Sequence, residues 1–84
     1  MKRTVVVAVL NKRRSAAVSF QKVLTDFGCI VKTRLGIHDG VLDKCSDTGL
    51  IILEIVGSDK QKKGFSAALK KVSGLKLKVV ELSA

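Results

Sequence analysis

The chain contains no tryptophan and no tyrosine, and only three phenylalanines, one histidine and two cysteines. Each shortage excludes something. With so few aromatics, the core must be built from Val, Leu, Ile and Ala. RNA-recognition modules that stack bases on sheet aromatics are also disfavoured, because Phe20, Phe27 and Phe65 all fall on helix stripes. One histidine, with no acid pair at a recognisable spacing, leaves no set of nucleophile, base and orienting group, so an enzyme is not expected. Two cysteines without C-x-x-C spacing are too few for a closed metal site, and no cofactor is expected. With no secretory context, Cys29 and Cys45 read as free thiols in a reducing cytosol. No apolar run approaches the roughly 20 residues that span a bilayer. The opening "MKRTVVVAVL" mimics an export signal. Its apolar run ends at Asn11, however, and "NKRR" follows without a small-residue cleavage pattern, so a cytoplasmic location is expected.

What is present is a globular balance. Hydrophobic residues make up 46% and charged residues 27% of 84 residues, enough for one domain spanning 1–84 with one small core. A core of this size gains from association with a second copy, so a homo-oligomer, dimer or tetramer, is expected. The net charge is +9 and the pI near 10.0. Nucleic acid, an anionic metabolite or an acidic protein surface would each be attracted to such a chain, and a lysine-rich solvated surface has the same composition.

Local patterning divides the chain into six elements. "TVVVAVL" (4–10) is a continuous β-branched run and reads as a strand buried on both faces. Ala16, Ala17, Phe20, Val23, Leu24 and Phe27 recur at helical spacing, and Gly28 is read as the left-handed residue that stops the helix. "CIVKTRLGI" (29–37) alternates, with Cys29, Val31, Leu35 and Ile37 on one face and Lys32 and Arg34 on the other. "GLIILEIV" (49–56) is a second buried strand. "SDKQ" (58–61) has the form of a capping box ahead of a helix with an inward stripe of Phe65, Ala68, Leu69 and Val72, closed by Gly74. "LKLKVVEL" (75–82) alternates as a half-exposed strand. Phe20, Val23, Leu24 and Phe27 repeat at a constant offset as Phe65, Ala68, Leu69 and Val72, so the order β-α-β-β-α-β reads as two βαβ units. This is an α+β, ferredoxin-like sandwich: a four-stranded antiparallel sheet with two helices on one face and the first and third strands at its centre.

Two further readings concern the poles of this sandwich. The first and third strands, each leading into a helix, are taken as parallel, which places both helix N-termini at one pole. Lys12, Arg13, Arg14 and Lys60 would converge there with two helix dipoles, favouring a carboxylate or phosphate. The segment "GIHDGVLDKCSDTG" (36–49) would then lie at the opposite pole, roughly 20–25 Å away. It offers His38, Asp39, Asp43, Cys45 and Asp47 as nitrogen, oxygen and sulfur donors. Three readings of it stay open: a metal site using His38 and Cys45 with help from another chain or Cys29, a redox role for Cys45, and a polar hairpin turned by Gly40 and Gly49.

From "NKRRSAAVSFQKVLTDFG" through "FGCIVKTRLGIHD" to "GLIILEIVG" and "SGLKLKVVEL", the chain resembles the iron-only hydrogenase system regulators. These are small ACT-like proteins, similar also to the ligand-binding domain of the nickel-responsive regulator. The resemblance implies a regulatory domain that oligomerises and binds a small effector between subunits. The effector contacts it implies are Asn11 and Arg13 at the first helix start, and Arg34, Gly36 and His38 at the end of the second strand. The nickel regulator's site uses several histidines and this chain has one, so nickel is not expected. The leading expectation is a cytoplasmic regulatory module that binds a small anionic effector. A basic nucleic-acid-binding domain and a metal or thiol carrier are the alternatives, and no membrane association is expected.

Overall fold

A computed structural model describes residues 2–11, 13–38 and 49–83; for residues 13–15 and His38 the description is of the main chain. The elements are β1 (Lys2–Leu10), α1 (Arg13–Asp26), β2 (Val31–His38), β3 (Gly49–Ile55), α2 (Asp59–Lys70) and β4 (Leu75–Ser83). They form one sheet in the order β2-β3-β1-β4, in which every neighbouring pair is antiparallel. The expected α+β ferredoxin-like arrangement is present, with β1 and β3 at the centre.

The central strands are not buried on both faces. In β1, Thr4, Val6, Ala8 and Leu10 point to the helices and are sealed, while Val7 and Val9 on the other face are 37% and 40% exposed. In β3, Ile51, Leu53 and Ile55 point inward and alternate with the half-buried Leu50, Ile52 and Glu54. The helices close the covered face through Ala16, Phe20 and Leu24 of α1 and Phe65 and Leu69 of α2. The rings of Phe27 and Phe65 meet at 5.4 Å between centroids. A run of apolar residues looked doubly buried in sequence because the open face is apolar too.

The capping box of α2 is formed. The Ser58 hydroxyl accepts from the Gln61 N–H at 3.1 Å, and Gln61 Oε1 accepts from the Ser58 N–H at 2.8 Å. Gly57 precedes it at φ +110, and a Cβ there would lie 2.6 Å from Gln61 Oε1. Both the left-handed backbone and the cap therefore require glycine at this position. Gly74, at φ +81, closes the α2 end as expected, but Gly28 does not have a positive φ. The chain leaves α1 instead through a turn in which Gly28 N–H donates to the Thr25 carbonyl and Ile30 N–H to that of Phe27.

One expectation about the poles is overturned. β1 and β3 run antiparallel, with Leu10 paired to Gly49 and Thr4 to Ile55. In a β-α-β-β-α-β chain the second strand runs parallel to the first, and the hairpin to the third reverses direction. α1 therefore starts at one pole and α2 at the other, about 20 Å away at six strand residues. Lys60, in the first turn of α2, cannot join the Arg13 and Arg14 positions that open α1. The same reversal brings the ends that flank residues 39–48 to the pole of α1, because His38 pairs with Gly49, which pairs with Leu10. Asp39, Asp43, Cys45 and Asp47 lie outside the described residues.

Candidate functional site

The second strand carries the structural surprise. Its register against β3 shifts between Val31 and Thr33. A bulge inserts one residue and so exchanges the faces of everything beyond it. Val31 packs against the core, but Leu35 and Ile37 emerge on the open face, 50% and 42% exposed. Arg34 and Gly36 take the face covered by helices, and His38 holds the next alternate position, paired with Gly49. The simple alternation had placed Arg34 on the opposite, uncovered face.

Once turned inward, Arg34 reaches α1. Its Nη1 donates to Gln21 Oε1 at 2.7 Å, and its Cζ lies 5.9 Å from the centre of the Phe20 ring. These residues, with Leu10, Gly36 and Ile51, line a cleft of about 310 Å³ between α1 and the β2–β3 pair. Gly36 keeps the cleft open, since a Cβ built there would meet nothing within 4 Å. The arrangement is a guanidinium oriented from one side by a neutral amide and an aromatic face. Among the described residues no carboxylate lies within ion-pair distance of Arg34. A planar fork in this state has donors left for a carboxylate or a phosphate.

The structure sets several of the candidate positions at one pole. Asn11 follows Leu10 at the cleft's pole, with its N–H bonded to the Gly74 carbonyl at 2.7 Å. Arg13 and Arg14 open α1 there, and Arg34, Gly36 and the His38 position flank the same end of the sheet. Lys12 lies outside the described residues. Phe20 and Gln21 were missed as site residues. Phe20 reads as core, which it also is, and the role of Gln21 follows only from the bulge that turns Arg34 toward it.

Other chemistry is sparse. Among the described residues, no group of three or more His, Cys, Asp or Glu side chains is placed to hold a metal. Cys29 is an exposed free thiol. Among the described residues, no helix is long and apolar enough to cross a membrane. On the open sheet face, Arg3 makes a bidentate pair with Glu54 at 2.7 and 2.8 Å. That hydrogen bonding holds the Glu54 carboxyl below its ordinary range, partly offset by desolvation and assisted by the charges of Arg3 and Lys32.

No family model matches the chain, and no curated protein sequence matches it. Several solved structures do match. The uncharacterized protein TM1266 from Thermotoga maritima superposes with a TM-score of 0.81 at 21% identity, covering 99% of this chain and 100% of that one. CPII from Thiomonas intermedia, described as a nitrogen regulatory PII-like protein bound to ADP, AMP and bicarbonate, gives 0.59 at 10% identity over 100% and 93%. A dimeric ferredoxin-like protein from an uncultured marine organism gives 0.50 at 8% identity over 96% and 92%. At these identities the likeness is one of fold, and it agrees with the strand order: the chain is a ferredoxin-like α+β sandwich.

Proposed function

We propose that the chain is a small regulatory module that binds an anionic effector in the Arg34 cleft and works as a homo-oligomer. The observation that carries this reading is the inward-turned guanidinium, held by Gln21 and Phe20 beside the space left by Gly36. The fold likeness to CPII, whose structure holds nucleotides and bicarbonate, supports a regulatory ligand-binding role. The net charge of +9 would steer any small anion toward the site. The resemblance to the iron-only hydrogenase system regulators names the finer version, a non-enzymatic regulator of such a system with its effector near the subunit boundary.

The second copy would cover the open sheet face. Val7, Val9, Leu35, Ile37 and Leu82 are exposed there. Lys76 and Lys78 of β4 and the Arg3–Glu54 pair lie around them. An apolar centre within a charged rim is the anatomy of an interface.

The test is binding. Native mass spectrometry of protein purified from its own host reports effector, metal and copy number together. Arg34→Gln should then release the retained anion, with affinity reduced about tenfold or more for the loss of charge-assisted hydrogen bonds. An Arg34→Gln protein that keeps the same ligand at the same affinity would remove the cleft from consideration. Salt-dependent binding of a random oligonucleotide, with no small ligand retained, would favour the nucleic-acid reading instead.

A further inference from the structure

At the other edge of the covered face, α2 and β4 do not close on each other. Val79 points toward α2 and yet stays 39% exposed. The gap is a groove of about 380 Å³, within the size range of small-molecule sites. It shares no lining residue with the Arg34 cleft.

Its floor is built from a polar chain. Thr4 is 1% exposed, the polar residue buried among the described core. Its hydroxyl accepts from Lys62 Nζ at 2.9 Å and donates to Glu81 Oε1 at 3.5 Å. Lys2 Nζ stands 4.0 Å from the other Glu81 oxygen. Among the described residues, the half-buried Lys62 ammonium meets a neutral hydroxyl and no carboxylate, which engages one of its three N–H groups. Ser66 and Lys70 continue the same helix stripe at four-residue spacing, and Lys63 lines the groove beside them.

We propose that this groove is a second ligand site, taking a small phosphate ester that also carries hydroxyl groups. The phosphate lies against Lys62, receiving its N–H donors together with the Ser66 hydroxyl and the neighbouring lysines. Two carboxylates at the same end, Asp59 and Glu81, accept hydrogen bonds from the ligand's hydroxyls. They also select against a nucleic-acid strand, whose backbone would bring a phosphate past each of them.

Backbone amide NMR of the isotope-labelled full chain, titrated first with inorganic phosphate and then with glycerol phosphate, reads the site directly. Saturable shifts are expected at Thr4, Ser66 and Glu81, with glycerol phosphate the tighter ligand. Lys62→Met should weaken binding by about tenfold or more. Ser66→Glu, which a helix accepts and which places a negative charge in the groove, should abolish binding even if Lys62→Met disturbs the fold. Arg34→Gln should leave binding unchanged, which separates this site from the cleft. Shifts confined to Phe20–Gly36, unsaturable shifts, undiminished binding by Ser66→Glu, or displacement of glycerol phosphate by a short oligonucleotide would each overturn the proposal.

Discussion

Ile51 and Ile52 are adjacent in β3 and point to opposite faces, so the same substitution at each probes two different energies. Ile51 is 8% exposed and lies in the core. Ile51→Asp would forfeit roughly 2–3 kcal/mol of apolar burial and add a carboxylate without a partner, at several kcal/mol more. That sum is comparable to the whole stability of a small domain, about 5–10 kcal/mol, so this variant should be unfolded. Ile52 lies on the open face between Val7 of β1 and Leu35 of β2. In a monomer its carboxylate replacement reaches water and the fold survives. In a dimer built on that face, each copy would lose about 1.5 kcal/mol of burial and desolvate a charge for about 1–3 kcal/mol. Over two copies this amounts to roughly 5 kcal/mol or more, a rise in Kd on the order of a thousandfold or more. Light scattering from about 1 to 100 μM, beside circular dichroism melts, measures both quantities at interface sizes near 800 Å² per subunit. The expected pair is a folded monomer for Ile52→Asp and an unfolded chain for Ile51→Asp. A monomeric unmodified protein at micromolar concentration, or an Ile52→Asp dimer with unchanged Kd, would refute the reasoning.

Other outcomes follow from single sites. Gly36→Val should leave thermal stability unchanged or slightly raised, because its Cβ meets nothing within 4 Å and β-branched residues suit strands. The same change should reduce effector retention in native mass spectra, and full retention would contradict the cleft. Gly64→Ala, whose Cβ would touch the Phe27 ring at an ordinary 3.7 Å, should stabilise α2 by about 0.5–1 kcal/mol in urea unfolding. The Glu54 carboxyl is lowered in the folded state, first by its hydrogen bonds from Arg3. Its contribution to stability is therefore present above the ordinary carboxylate pKa of about 4.3 and lost as pH falls through the folded value. Glu54→Gln should flatten the acid limb of the stability profile, and an unchanged limb would mean that the pair does not hold in solution.

Much of this architecture could be read from one-dimensional pattern, because it depends on contacts between near neighbours in the chain. The Phe20–Leu24 and Phe65–Leu69 stripes, the Ser58–Gln61 capping box and the alternation of Leu75–Lys78 in β4 are all set within a few residues, and each is found where the pattern places it. The order of strands and the α+β class followed from the order of elements and the handedness of crossovers. What local pattern could not carry was the register of one strand against another. The element order does imply the antiparallel run of β1 and β3, which the reading of them as parallel overlooked; the pairing of Leu10 with Gly49 sets Lys60 at the far pole and the ends around residues 39–48 beside the start of α1. The bulge after Val31 is a property of the β2–β3 ladder, invisible in a strand that alternates cleanly by itself. Its single inserted residue moved Arg34 from the uncovered face to the helix side, where its guanidinium, still exposed, meets Gln21 and Phe20. Residue types and periodicity by themselves determined the fold class and most of the core. Only the tertiary structure decided which faces the β2 residues occupy, because register is fixed by pairing across the sheet and not along the chain.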